Sequence, residues 1–179
     1  MKKETKTTTI HFMTQAAIIA AIYAVLTLAI KPLSYGAVQF RFAEALCILP
    51  VFTPAAIPGL TIGCFIANLL GSDFPLDMLF GTLATLLAAI CTRIFRDKKV
   101  MSLPLLSSFF PVIFNAVIVG LEITISMWST AAQGSFIKMF LATGLWVGIG
   151  EIVCACVIGL VLYKALEKAG IEKILKMKE

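Results

Sequence analysis

The sequence predicts an all-α integral membrane protein with six transmembrane helices. Hydrophobic residues make up 60% of its 179 positions and charged residues only 14%, and the mean hydropathy is +0.98. A water-soluble globule of this size cannot bury so much apolar surface. Because a helix needs about 20 apolar residues to cross a bilayer, the chain has room for about six spans and no separate soluble domain.

Six apolar runs, separated by short polar or proline-containing segments, give the predicted helices. They cover residues 10–30, 40–52, 59–70, 76–95, 103–125 and 139–163. The second and third runs are shorter than an ideal span, so a re-entrant hairpin is the alternative for this pair. We expect a cytoplasmic N-terminal segment at residues 1–9, a six-helix transmembrane domain at residues 10–165 and a basic cytoplasmic tail at residues 166–179.

The distribution of basic residues orients the chain. All but three of the 15 Lys and Arg residues fall in segments that six spans would put on one side, and the exceptions are Lys31, Arg41 and Lys138. By the positive-inside rule that side is the cytoplasm, so both termini are predicted to be cytoplasmic. Cations in short segments beside apolar runs indicate membrane topology, and no nucleic-acid partner is expected.

Half of the acidic residues are placed differently, in outer loops or inside helices. These are Glu44, Asp73, Asp77, Glu122 and Glu151. A charge at the centre of a membrane helix costs roughly 2.5 to 3.5 kcal/mol, so such a side chain usually faces a cavity or a partner. Asp77 falls in the first turn of a predicted helix, where a carboxylate suits the positive end of the helix dipole. The asymmetry predicts a polar pocket that opens to the outside.

Several of these polar residues have a structural alternative to ligand contact. Arg41 and Glu44 lie three residues apart and would meet if this segment is an α-helix. Glu151 shares the small-residue face of the last helix, where it would pair with Arg41 or Lys138, or be held neutral by burial.

Three residues of the last two helices also have a structural alternative to ligand contact. Glu122 would serve equally as an interfacial cap, and Asn115 would serve in an interhelical hydrogen bond. Trp146 would be either an interfacial anchor or an aromatic pocket wall.

Small residues recur every four positions in two predicted helices. In the first helix they are Ala16, Ala20 and Ala24, with Ala17 and Ala21 alongside, and in the third they are Gly59, Gly63, Ala67 and Gly71. Such a face lets another helix approach closely. The alanine face is therefore either a packing surface within the bundle or a docking surface for a separate subunit.

Motifs for catalysis and for metal binding are absent from the sequence. The five cysteines lie in apolar runs without zinc-ligand spacing and are expected to be small core residues. The single histidine, His11, is expected at the interface or as a proton carrier. There is no GxxxxGK[ST], HExxH or GxSxG motif, so we expect no enzyme and no cofactor. Uphill transport would need an ATPase partner or an ion gradient.

Three stretches carry a family resemblance: YGAVQFRFAEAL, LPVFTPAAIPGLTIGCFIANLLG and DMLFGTLATLLAA. Together they resemble the QueT family of queuosine-precursor transporters, over roughly residues 10–165. QueT proteins are similar to the substrate-binding S-components of energy-coupling factor (ECF) transporters. The resemblance implies an S-component-like six-helix bundle in a prokaryotic cell membrane, with a site open to the outside and no ATPase of its own.

The resemblance also implies partners and a ligand. The partners are a transmembrane T-component, docked on Ala16, Ala20 and Ala24, and two cytoplasmic ATPases. The ligand is a 7-deazaguanine such as preQ1 or queuine. Its guanine-like edge suits a carboxylate, an aminomethyl cation suits a second carboxylate, and its ring stacks on an aromatic side chain. The alternatives are a proton-coupled secondary transporter, or an S-component for another vitamin or nucleobase.

By physical placement we expect two leading carboxylates in the substrate-binding site, with polar and aromatic residues around them. The expected site residues are Glu122 and Glu151, with Arg41, Glu44, Asn68, Asn115 and Trp146.

Overall fold

The computed structural model describes residues 2–36, 39–128 and 135–171, and in these ranges the chain forms seven helices. The α-helices are α1 (Lys2–Ala29), α2 (Lys31–Ser34), α3 (Ala56–Gly71), α4 (Asp77–Ile94), α5 (Leu105–Trp128) and α6 (Phe136–Lys168), and a 3-10 helix covers Phe42–Val51. The prediction of an all-α protein is confirmed. Most of the tail at residues 166–179 lies outside the described residues.

Four of these helices are long and apolar enough to cross a membrane, namely Thr9–Ala29 of α1, α4, α5 and α6. The other two apolar helices are shorter: the 3-10 helix has 10 residues and α3 has 16. At rises of about 2.0 and 1.5 Å per residue they reach roughly 20 and 24 Å, less than the roughly 30 Å hydrocarbon core. The structure therefore supports four full spans, and the predicted count of six is not confirmed.

Proline sets the form of the segment between α1 and α3. Pro32 lies in the first turn of α2, where its missing N–H costs nothing. Pro50 lies inside the 3-10 helix, where an α-helix would lose a hydrogen bond. Arg41 precedes this helix in an extended conformation, with φ −92° and ψ 93°. Arg41 and Glu44 are thus not one turn apart on an α-helix, and their side chains take different partners.

Small residues hold α1 against α3. A Cβ atom added to Gly59 would lie 2.8 Å from the carbonyl oxygen of Ala16, and one added to Gly63 would lie 2.8 Å from that of Ala20. Ala16, Ala20 and Ala24 are correspondingly buried, at 8%, 6% and 7% exposure. In this structure α3 covers these three alanines, and their predicted docking role stays a prediction. The intramolecular alternative is the one that the structure supports.

Helices α5 and α6 also cross at close distance. A Cβ on Gly120 of α5 would lie 2.8 Å from the Cα of Gly144 in α6. Near this crossing each helix contains a π-helical segment, Asn115–Val119 in α5 and Ile152–Ile158 in α6. Such wide turns inside α-helices are frequently found at functional sites. Here they flank the polar residues that α5 and α6 contribute to the interior.

The core is mainly apolar and built from α1, the 3-10 helix, α3 and α4. Cys47, Cys64, Cys154 and Cys156 are buried, and Cys91 is partly buried. A second, smaller apolar cluster contains Phe52 and Tyr163, whose rings stack with their centres 5.1 Å apart. Large apolar side chains such as Leu141, Leu145 and Val161 remain exposed on α6, as expected of a surface that faces lipid.

Candidate functional site

Buried polar side chains from six helices or connecting segments meet in the interior between α1, the 3-10 helix, α3, α4, α5 and α6. Six of the seven predicted site residues are buried, and these are Arg41, Glu44, Asn68, Asn115, Glu122 and Glu151. Trp146 is different, because it is 52% exposed on α6. The structure does not bring Trp146 into this buried group, and its position fits the alternative of an interfacial anchor.

Arg41 occupies the middle of the group. Its Nε donates to the carbonyl oxygen of Ser34 at 3.2 Å, and its guanidinium lies 4.9 Å from the centre of the Tyr35 ring. Its Nη2 lies 3.9 Å from Oδ2 of Asp77, an ion pair beyond hydrogen-bond distance. Nη2 makes no hydrogen bond with any described residue. Arg41 is thus anchored on one side and has a free donor on the other.

Both carboxylate oxygens of Glu44 accept hydrogen bonds from neighbouring side chains. The hydroxyl of Tyr23 donates to Oε1, and the thiol of Cys47 donates to Oε2 at 3.0 Å. Arg41 has other partners, so the predicted alternative of an Arg41–Glu44 pair is wrong. Glu44 fixes α1 against the 3-10 helix.

Tyr35, Asn68 and Asp77 connect the C-terminal end of α2 to α3 and α4. The Tyr35 hydroxyl donates toward the carbonyl oxygen of Ala67 at 2.8 Å and Oδ1 of Asn68 at 3.1 Å. Burial raises the pKa of the Tyr35 phenol to about 12, so this hydroxyl keeps its proton. Nδ2 of Asn68 donates to the backbone oxygen of Asp77 at 2.9 Å. The first turn of α4 is thereby held at a fixed distance from α3.

Asp77 lies at the start of α4 and Glu122 in the C-terminal half of α5, and each accepts a hydrogen bond from a nearby serine. Ser72 Oγ donates to Oδ2 of Asp77 at 2.5 Å, and Ser126 Oγ donates to Oε1 of Glu122 at 2.9 Å. The remaining oxygens, Oδ1 and Oε2, are buried and accept no hydrogen bond from any described residue. Glu122 is buried within the bundle, and its alternative role as an interfacial cap stays a prediction.

Glu151 and Asn115 pair across α5 and α6. Nδ2 of Asn115 donates to Oε1 of Glu151 at 3.0 Å, which is the interhelical bond predicted as an alternative for Asn115. Oε2 of Glu151 has no hydrogen-bond donor among the described residues. Lys138 is exposed, and Arg41 forms its ion pair with Asp77.

Sequence reasoning missed Asp77, Tyr23 and Tyr35 as parts of this group. Asp77 was explained by the helix dipole alone, although it was one of the acids predicted on the outer side. Tyr23 had a detectable signal, since it lies seven residues after Ala16 and so on the same face of α1. Tyr35 opens the first stretch of the family resemblance, but its contacts depend on a loop conformation that periodicity does not give.

This arrangement has the chemistry to bind a small polar molecule. It offers one free donor, on Arg41, and three free acceptors, on Asp77, Glu122 and Glu151. Buried polar atoms without partners are costly, so a ligand that supplies the missing partners would be stabilised. The described residues contain no cluster of three or more His, Cys, Asp or Glu side chains suited to a metal ion.

The fold and the buried polar group together define a multi-pass α-helical membrane protein with a cluster of buried polar side chains in its interior. The chain belongs to the QueT transporter family, whose model matches residues 13–168. A relative from Lactococcus lactis subsp. cremoris (strain MG1363), named queuosine precursor transporter QueT, is 29% identical over an alignment of 155 residues. The match covers 75% of this chain and 89% of that protein. No solved structure matches the chain.

Proposed function

We propose that this protein is the substrate-binding membrane subunit of an ECF-type importer that takes up a queuosine precursor. The ligand is a 7-deazaguanine such as preQ1 or queuine. Family membership and the name of the Lactococcus relative support the class of ligand. The observation that carries the proposal is the set of four buried, unpartnered atoms on Arg41, Asp77, Glu122 and Glu151.

The hydrogen-bonding pattern of a deazaguanine complements this set. Its pyrimidine edge presents neighbouring N–H donors that one carboxylate accepts in pairs, and its carbonyl oxygen accepts from a guanidinium. In the proposed complex Glu151 and Asn115 receive the N–H edge and Arg41 donates to the carbonyl. Glu122, Asn68 and Glu44 complete the surroundings, with Glu44 acting through its hold on Tyr23 and Cys47.

The proposed topology puts both termini in the cytoplasm of a prokaryotic cell, so Glu122 and Asp77 lie toward the outside. The 3-10 helix and α3 would then either cross at a thinned part of the bilayer or form the re-entrant hairpin. The proposed partners are a transmembrane T-component and two cytoplasmic ATPases. Their contact with α1 falls on its outer face, where Ala17 and Ala21 are exposed.

Mass spectrometry of the small molecule that co-purifies with the protein tests the ligand. A 7-deazaguanine is expected in the sample, and it should rebind after removal with the same stoichiometry. A flavin, thiamin or purine in its place, with no binding of deazaguanines in calorimetry, would overturn the ligand while leaving open an S-component for another vitamin or nucleobase.

A proton-coupled secondary transporter is the second candidate. The buried carboxylates of Glu122 and Glu151, each with one oxygen that accepts no hydrogen bond from a described residue, favour it, since such groups carry protons in many transporters. Uptake in proteoliposomes separates the two functions. The importer requires the ATPase module and ATP, and it continues after the proton gradient is collapsed. Uptake by this chain alone, lost with the gradient, would replace the importer by the secondary transporter.

A further inference from the structure

Asp77 and Glu122 form a pair of carboxyl groups at the outer end of the site. They come from different helices, α4 and α5, yet lie close enough to interact directly. Asp77 is 3% exposed and Glu122 is 1% exposed. Two carboxylates buried side by side repel one another, so this arrangement calls for a cation, or for a proton shared between them.

The pair is built with one free acceptor on each member. Ser72 holds one oxygen of Asp77 and Ser126 holds one oxygen of Glu122. The other two oxygens, Oδ1 of Asp77 and Oε2 of Glu122, are buried without a donor among the described residues. An ammonium group has three N–H donors and no acceptor, and it would satisfy both oxygens at once.

Charge balance gives the same result. Arg41 is the buried cation beside the pair, 3.9 Å from Asp77, and it offsets one of the two negative charges. Glu151 interacts electrostatically with both Arg41 and Glu44, so Arg41 is shared with a further buried acid. With Asp77 and Glu122 ionised, one negative charge at the outer end remains without a partner. Buried charges are rarely left in this state.

We infer that Asp77 and Glu122 together bind the protonated amine on the ligand's side chain, and so select amine-bearing deazaguanines over neutral ones. This inference rests on the proposed function and deepens it. Asp77 and Glu122 recognise the substituent, whereas Glu151 and Asn115 recognise the base. An aliphatic amine is protonated at neutral pH, so the ligand brings the missing positive charge and the missing donors.

Three ligands of similar shape test the inference on the full chain in detergent or nanodiscs: 7-aminomethyl-7-deazaguanine, its 7-methyl analogue and its 7-cyano analogue. Calorimetry at pH 7 should give the amine a dissociation constant roughly 10- to 100-fold lower than either neutral analogue, from the charge-assisted hydrogen bonds it gains. This comparison needs no variant, so it does not depend on whether a substituted protein folds.

Two substitutions then assign the effect. Glu122→Gln and Asp77→Asn should weaken the amine by about tenfold or more and leave the methyl analogue nearly unchanged. Glu151→Gln should weaken both ligands by the same factor. Asp97→Asn is the matched control, since Asp97 is an exposed acid that pairs with Arg96 in the loop after α4. It should change neither affinity.

The outcomes separate the inference from the proposed function. Equal affinities for the three ligands in the wild-type protein would overturn the amine site and leave the deazaguanine ligand standing, with the carboxyl pair sharing a proton instead. A preference for the amine that survives both Glu122→Gln and Asp77→Asn would also overturn it. Failure of all three ligands to bind would remove the proposed function together with the inference.

Discussion

The side-chain amide of Asn115 donates a 3.0 Å hydrogen bond to the carboxylate of Glu151, and this bond joins α5 to α6 beside their π-helical segments. Asn115 is the first residue of one segment, and Glu151 immediately precedes the other. A π turn inserts an extra residue and rotates the side chains that follow it relative to those before. Two local departures from α-helical geometry therefore flank the polar residues that α5 and α6 direct into the bundle.

Replacing Glu151 by Gln removes the negative charge and keeps nearly the same size and shape of side chain. The substitution therefore tests whether the charge itself contributes to ligand binding. The amide keeps an oxygen that can accept from Asn115, so the melting temperature should stay within a few degrees of the wild-type value. The affinity for a 7-deazaguanine should fall by about tenfold, because a charge-assisted bond worth roughly 1.5 to 3 kcal/mol becomes a neutral one. Calorimetry measures this directly. An unchanged dissociation constant would remove Glu151 from the site.

Removing the hydroxyl of Tyr23 should destabilise the protein, because this hydroxyl links α1 to Glu44 of the 3-10 helix. Tyr23→Phe leaves Oε1 of Glu44 without its donor in a buried position, at a cost of about 1 to 3 kcal/mol. Thermal unfolding in detergent should show a lower midpoint. Tyr163→Phe is the matched control, because its hydroxyl bonds to the part-exposed Glu167 at 2.9 Å and should matter less. Equal losses for the two variants would contradict the role given to Tyr23.

The crossing of α5 and α6 should tolerate no side chain at Gly144. A Cβ there would lie 2.8 Å from the backbone oxygen of Ala116, whereas one at Gly148, a turn further along, would lie 3.6 Å from the Ala116 Cβ. Gly144→Ala should therefore force the helices apart and cost about 1 to 3 kcal/mol. Gly148→Ala should be close to neutral. Folded yield and melting temperature compare the pair, and similar behaviour would show that the crossing is not tightly packed.

Hydropathy and small-residue spacing were sufficient to predict an all-α chain in which α1 and α3 each carry a face that permits close packing. They were not sufficient to say which alanine stripe faces inward. Ala16 and Ala20 repeat every four residues, and so do Ala17 and Ala21, so the spacing fits both stripes equally. The contact of Gly59 and Gly63 with Ala16 and Ala20 determines that the first stripe faces inward. Local periodicity does not reveal a contact between two distant segments of this kind.

The site was predictable to a similar extent. Burial of the polar residues followed from the cost of charge in lipid, and six of the seven candidates are indeed interior. Their partners were not predictable. Arg41 and Glu44 appeared paired only because a regular α-helix was assumed, whereas the 3-10 helix begins after Arg41 and lets it reach Asp77. Asp77 already had a sufficient local explanation at the start of α4, which concealed its contact with Arg41.

The exposed stripe of α1 should matter for uptake and not for ligand binding. Ala17 and Ala21 are exposed and would let a T-component helix approach closely, so Ala21→Trp should lower uptake at least about tenfold, the equivalent of 1.4 kcal/mol of lost association. Its ligand affinity should equal that of the wild type. Leu145→Trp, on the exposed face of α6, is the control and should affect neither. Ala20→Trp should instead reduce folded yield, because Ala20 packs on Gly63. Normal uptake by Ala21→Trp, with the variant present in the membrane at wild-type amounts, would exclude this face as the docking surface.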